Sequence, residues 1–184
     1  MPLKTIVKVG NISNLSDARY CAGMGVDMLG FRVVEGQPNY ITPKAFQEIR
    51  GWISGPKVVA EIYGIENPDK IPGIIDNYAP DYFEMSLPEF KTLGKDLPKP
   101  VIIKITTMDE LPASSTQIAY AIADDGSGKS NVPVLLKPRS KEQLQQGLEQ
   151  GNVQGVALNG SPEERPGFKD YTDLAEFLEF LDED

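Results

Sequence analysis

The sequence contains no histidine in its 184 residues. That excludes a Ser-His-Asp triad, a Cys-His pair and any histidine-ligated zinc. Any acid–base chemistry must use Asp, Glu, Lys, Tyr or the single cysteine, Cys21. One cysteine also rules out an internal disulfide and fits a reducing cytoplasm. No apolar run reaches the roughly 18 residues that suggest a membrane-spanning helix, and MPLKTIVKVG lacks the long apolar core of a signal peptide. Positive charge is scarce: 18 Lys and Arg stand against 27 Asp and Glu, a net charge of -9 with a pI near 4.6. That balance argues against a nucleic-acid surface and against electrostatic docking onto an anionic membrane. There is no G-x-G-x-x-G, internal repeat, low-complexity tract or linker.

What is present is a regular alternation of short β-type and helical runs, as expected of one domain over residues 1–184. The stretch KVGNISNLSDA, Lys8 to Ala18, reads as the end of a strand (Thr5–Val9), a tight turn and a helix start. Asn14 serves as N-cap and Asp17 follows in the first turn. The helix runs to about Met24, and a second strand, Asp27–Val34, follows at once. Thr42 then caps a helix with Pro43 at its first position. Further strands are predicted at Lys57–Tyr63, Asp81–Met85, Val101–Ile105, Gln117–Ala123, Val132–Leu136 and Val153–Leu158. Helical spacing recurs at Ile71, Ile74, Ile75 and Tyr78, around Glu89–Leu93, after the Ser140/Gln143 capping box up to Gly151, and from about Asp170 onward. Met108–Leu111 is too short for a full helix. The fold class is therefore α/β: eight strands with intervening helices predict a small (β/α)8 TIM barrel, with some helices after the middle strands shortened or missing. An open doubly wound sheet is the alternative.

These motifs resemble the phosphoribosylanthranilate isomerase family, whose members carry out an Amadori rearrangement in the tryptophan pathway on a small (β/α)8 barrel. Lys8, Val9, Asn14, Leu15, Asp17 and Ala18 match the family's strand 1 and helix start. NYITPKAF is a second shared stretch. Pro166, Gly167, Lys169 and Asp170 match the closing P-G-x-K-D. The resemblance implies no cofactor and no metal, and a phosphorylated small molecule as ligand.

The departures bear directly on function. The cysteine that serves as the family's general base is Gly10 here, which carries no group able to take a proton. The family's general acid, an aspartate ending strand 6, is matched by Asp124, with Asp125 one residue away as an alternative. Asp-Asp-Gly is also an ordinary turn sequence. Asn39 stands at the position of an active-site arginine, and Glu84, Met85, Ser86 and Leu87 replace Q-L-H-G after strand 4. Lys137-Pro138 replaces the Gly-Gly of the phosphate loop, so an amide cradle gives way to a point charge. Gly160 and Ser161, after strand 8, are the remaining candidates for holding a phosphate. Lys8 and Lys104 lie within strands and point either into the barrel mouth or into a solvated ring. Cys21 falls on the outside of the barrel and reads as structural.

Two functions follow as expectations. One is a divergent isomerase, weak or inactive at the family reaction, with Asp124 as acid and Lys8, Asn39, Lys137, Gly160 and Ser161 around the ligand. The other is a non-catalytic barrel that binds a phosphorylated ligand or a protein partner.

Overall fold

A computed structural model describes residues 5–93, 97–113, 116–160 and 172–182. Eight parallel strands close into a barrel in chain order: β1 (Ile6–Gly10), β2 (Met28–Arg32), β3 (Lys57–Glu61), β4 (Tyr82–Ser86), β5 (Val101–Ile105), β6 (Ile118–Ala123), β7 (Val134–Leu136) and β8 (Gly155–Asn159). Closure is made by β1 against β8, with Lys8 opposite Ala157 and Gly10 opposite Asn159. The helices are α1 (Leu15–Gly23), α2 (Pro43–Arg50), α3 (Ile71–Tyr78), α4 (Leu87–Leu93), α5 (Lys141–Gln150) and α6 (Thr172–Asp182). Among the described residues, a three-residue 3-10 turn, Met108–Glu110, is the one helical turn that follows β5, and no helix is described between β6 and β7.

The helix starts are chemically specified. The Asn14 side chain accepts from the Asp17 amide, Thr42 from the Ala45 amide with Pro43 in the first turn, and Ser140 from the Gln143 amide. Each satisfies an amide that the helix itself leaves without a partner. Gly151 ends α5 in the left-handed conformation, φ 74°, which glycine adopts without strain. Pro72 does not break its helix: a 3-10 turn over Pro68–Lys70 leads into α3, so the proline lies where no intrahelical amide is required.

Two apolar layers sandwich the strands. The outer one lies between sheet and helices and includes Val7, Val9, Phe31, Phe46 and Tyr78. Phe46 packs edge-on to Phe31 at 5.0 Å, and the Tyr78 hydroxyl donates to the Ile41 carbonyl. The inner one fills the barrel with Met28, Val59, Ile102, Ile122, Leu135 and Ala157, with Ile6, Tyr82 and Tyr120 against them.

Side chains alternate along a strand, so the residue two places on faces the same way. Two places beyond Ile6, Met28, Val59, Tyr82, Ile102, Ile122, Leu135 and Ala157 stand Lys8, Gly30, Glu61, Glu84, Lys104, Asp124, Lys137 and Asn159. Apart from Gly30, every strand thus changes from apolar to polar toward its carboxyl end. That is the end at which barrels of this type carry their chemistry. Among the described residues, no helix is long and apolar enough to cross a membrane.

Candidate functional site

The polar layer opens into a cavity of about 240 Å³ lined by Lys8, Arg32, Tyr63, Glu84, Lys104, Ile122, Lys137, Ala157, Leu158 and Asn159. Ile122 and Ala157, members of the inner apolar layer, line it beside the charged groups.

Lys8 is the hub. It is 2% exposed, and its Nζ donates to Glu61 Oε2 at 2.5 Å while also pairing with Glu84 Oε1. Burial alone would push its pKa down. The two carboxylates more than offset that, and Lys8 is held above the ordinary lysine value. Glu61 has its other oxygen bound as well: Oε1 accepts from the Asn11 amide at 2.9 Å and from Arg32 Nε at 3.1 Å. Burial opposes its charge, but Lys8, Arg32 and the amide overcome it and keep Glu61 below the usual carboxylate range. The Arg32 guanidinium lies 4.8 Å from the centre of the Tyr63 ring.

Glu84 behaves in the opposite way. Burial and the neighbouring Glu61 charge raise its pKa by more than Lys8 and the Tyr63 hydroxyl, which donates to Oε2 at 2.8 Å, lower it. Of these two carboxylates, Glu84 is the one that lines the cavity and the one that keeps a proton more readily.

Gly10 sits directly against this cluster. A Cβ built there would lie 2.4 Å from Glu61 Oε2 and 2.6 Å from Lys8 Nζ. At Gly30 a Cβ would lie 2.3 Å from the same Glu61 oxygen. The two glycines form a slot that the Glu61 carboxylate fills. The space beside Gly10 therefore holds an ion pair.

The other predicted residues separate into groups. Lys8 and Lys137 line the cavity. Asp124 lies half-buried just past β6, beside Lys137 in an adjoining hollow with Thr106, Thr107, Asp125, Pro138 and Arg139. Asp125 is exposed and accepts from the Ser127 amide at 2.8 Å, which lowers its pKa and makes it a turn residue. Of the two aspartates, Asp124 therefore has the better geometry for a site. Gly160 does not offer a free donor: its amide already donates to the Gly10 carbonyl at 2.8 Å. Ser161 and the RPGFKD stretch lie outside the described residues. Asn39 is exposed in the connection after β2, at φ 62°, and does not line the cavity. The arginine that does line it is Arg32, seven positions earlier at the end of β2. Cys21 is fully buried in the outer layer, and burial pushes its thiol up to about 12, which leaves it inert at neutral pH.

Arg32, Glu61, Tyr63 and Glu84 were not among the candidates drawn from the sequence. Three of them share one signal: a charged residue within or closing an apolar strand, in the same parity as Lys8 and Lys104. Among the described residues no group of three or more Cys, Asp and Glu is arranged to hold a metal ion.

No protein-family model matches the chain. It is 27% identical over 195 residues to the N-(5'-phosphoribosyl)anthranilate isomerase of Aquifex aeolicus, an alignment covering 94% of this chain and 96% of that protein. Among solved structures it superposes on phosphoribosyl anthranilate isomerase from Thermus thermophilus with a TM-score of 0.71 at 19% identity, over 96% and 98% of the two chains. TrpF from Jonesia denitrificans gives 0.73 at 14% identity, over 97% of both.

Proposed function

We infer that the chain, as a divergent member of the phosphoribosylanthranilate isomerase family, binds a small phosphorylated molecule in the barrel mouth and catalyses the family's Amadori rearrangement poorly. The observation that carries this is the Glu61 carboxylate beside Gly10, 2.4 Å from where a side chain would begin. The reaction needs a proton removed from the sugar carbon beside the anomeric centre. Gly10 cannot remove it. Glu61 is a weak substitute, because both its oxygens are held by Lys8, Arg32 and the Asn11 amide, and its pKa is depressed. Loss of a general base costs about 10²–10⁴-fold in rate. Asp124 remains as a carboxyl able to protonate the ring oxygen, so the rearrangement keeps one of its two proton-transfer groups.

Ligand binding rests on charge. Lys8, Arg32, Lys104 and Lys137, against one carboxylate, Glu84, line one small cavity in a protein whose net charge is -9. A concave site whose sign opposes that of the whole molecule favours an anionic ligand. Location in the cytoplasm follows from the same family reading. The test is complementation of an isomerase-deficient tryptophan auxotroph, together with a steady-state assay of phosphoribosylanthranilate consumption. Growth failure and turnover near background are expected. A kcat on the order of 1 s⁻¹ or more would sink the proposal and assign the base to another residue.

A further inference from the structure

Lys104 and Lys137 face the same cavity, and neither belongs to the Lys8 ion-pair network. Lys104 occupies the inward parity of β5, two places beyond Ile102. Lys137 follows β7. Both line the cavity on either side of the end of β6, and the Lys137 charge acts on Lys104. Like charges held together disfavour each other's protonation. Burial, and then Lys137, push the Lys104 pKa below the ordinary lysine value, while Asp124 and Glu84 pull in the other direction. The remaining charged groups lining the cavity are Lys8 and Arg32. An accessible amine beside a second cation is how proteins make lysine nucleophilic toward a carbonyl carbon. A proton carrier is in place on the neighbouring strand: Glu84 pairs in register with Ile102, two residues before Lys104, and is hydrogen-bonded to Tyr63.

We propose that Lys104 is an amine nucleophile that forms a Schiff base with a small phosphorylated aldehyde or ketone in the barrel mouth, with Lys137 and Arg32 supplying positive charge to the phosphate and Glu84 the proton. The neutral amine's lone pair makes the C–N bond, and the carbonyl π pair moves to oxygen. Proton transfer from nitrogen to that oxygen gives the carbinolamine. Glu84 then protonates the hydroxyl, water leaves, and an iminium on Lys104 remains beside the Glu84 carboxylate. Nothing else is consumed. This activity is independent of the isomerase reaction, so either can fail without the other.

The experiment is borohydride trapping with dihydroxyacetone phosphate on the full-length protein, followed by peptide mass mapping. The expected result is one reduced adduct, on Lys104, lost in Lys104→Arg and diminished when unphosphorylated dihydroxyacetone replaces the probe. In Lys137→Met the trapping profile should shift to higher pH, because the neighbouring cation that depresses the Lys104 pKa is gone. A purely structural role for Lys137 would not move that profile. Adducts spread over many lysines, or an unlabelled Lys104 in the unaltered protein, would overturn the proposal whatever the variants do. So would a pH profile that Lys137→Met leaves in place.

Discussion

Lys8 and Glu61, 53 positions apart in the chain, meet with Nζ and Oε2 2.5 Å apart where both are nearly inaccessible to water. A buried ion pair contributes little net stability against an apolar replacement, but removing one partner strands the other. Lys8→Met leaves Glu61 and Glu84 without their shared cation. It should destabilise the fold by about 3–5 kcal/mol, measured by urea denaturation. Adding Glu61→Gln to that variant should recover part of the loss. A double-mutant cycle with no coupling between the two positions would contradict this account.

The same pair sets an alkaline limit. Lys8 titrates above its ordinary 10.5 in the folded protein. Its contribution is therefore complete below that value and disappears as pH rises through the folded pKa. The stability difference between the unaltered protein and Lys8→Met should be level near neutral pH and shrink above about pH 10.5. Glu61, depressed, gives the mirror case: its contribution is lost as pH falls through its folded pKa, below the ordinary 4.5. A difference that stayed flat through the alkaline range would mean that Lys8 is not held charged by these carboxylates.

Phosphate binding should depend on Lys137. Lys137→Ala removes one of four cations from the cavity lining. A hydrogen bond to a charged group is worth about 1.5–3 kcal/mol, so inorganic phosphate should bind about tenfold to a hundredfold more weakly, read by titration calorimetry. Gly160 should matter less, since its amide is engaged by the Gly10 carbonyl. Equal phosphate affinity in Lys137→Ala would remove the lysine from the ligand site.

Helix α5 offers a control away from the site. Ser140→Ala deletes the acceptor for the Gln143 amide, 3.1 Å away. It should cost about 1 kcal/mol of stability and leave phosphate affinity as it was. A change in affinity would show that α5 communicates with the mouth.

Much of this architecture could be read locally. β5 occupies the predicted Val101–Ile105, and the Thr42 and Ser140 caps lie where short polar side chains precede helical spacing. Those features rest on interactions within a few residues. The candidate site was only partly legible, because its key contacts span strands far apart in sequence. Glu61 and Glu84 each interrupt an apolar run, yet only barrel closure shows that both reach Lys8. The arginine illustrates the opposite error. Motif alignment directs attention to Asn39, whereas side-chain parity directs it to Arg32, and it is Arg32 that lines the cavity. Shear and strand count decide which inward positions share a layer, and neither is written in any single segment.

The slot between Gly10 and Gly30 also governs which mutational routes are open to this protein. A cysteine introduced at position 10 has no room while Glu61 stays where it is, because its first carbon would overlap that carboxylate and the Lys8 ammonium. Overpacking of this kind typically costs about 1–3 kcal/mol, and swinging either ion aside separates a buried pair. Gly10→Cys alone should therefore lower stability, read by urea denaturation. Shortening Glu61 first frees the space but leaves Lys8 with Glu84 alone. The order of substitutions therefore matters: position 10 takes a side chain without displacing the buried pair only once Glu61 has been shortened.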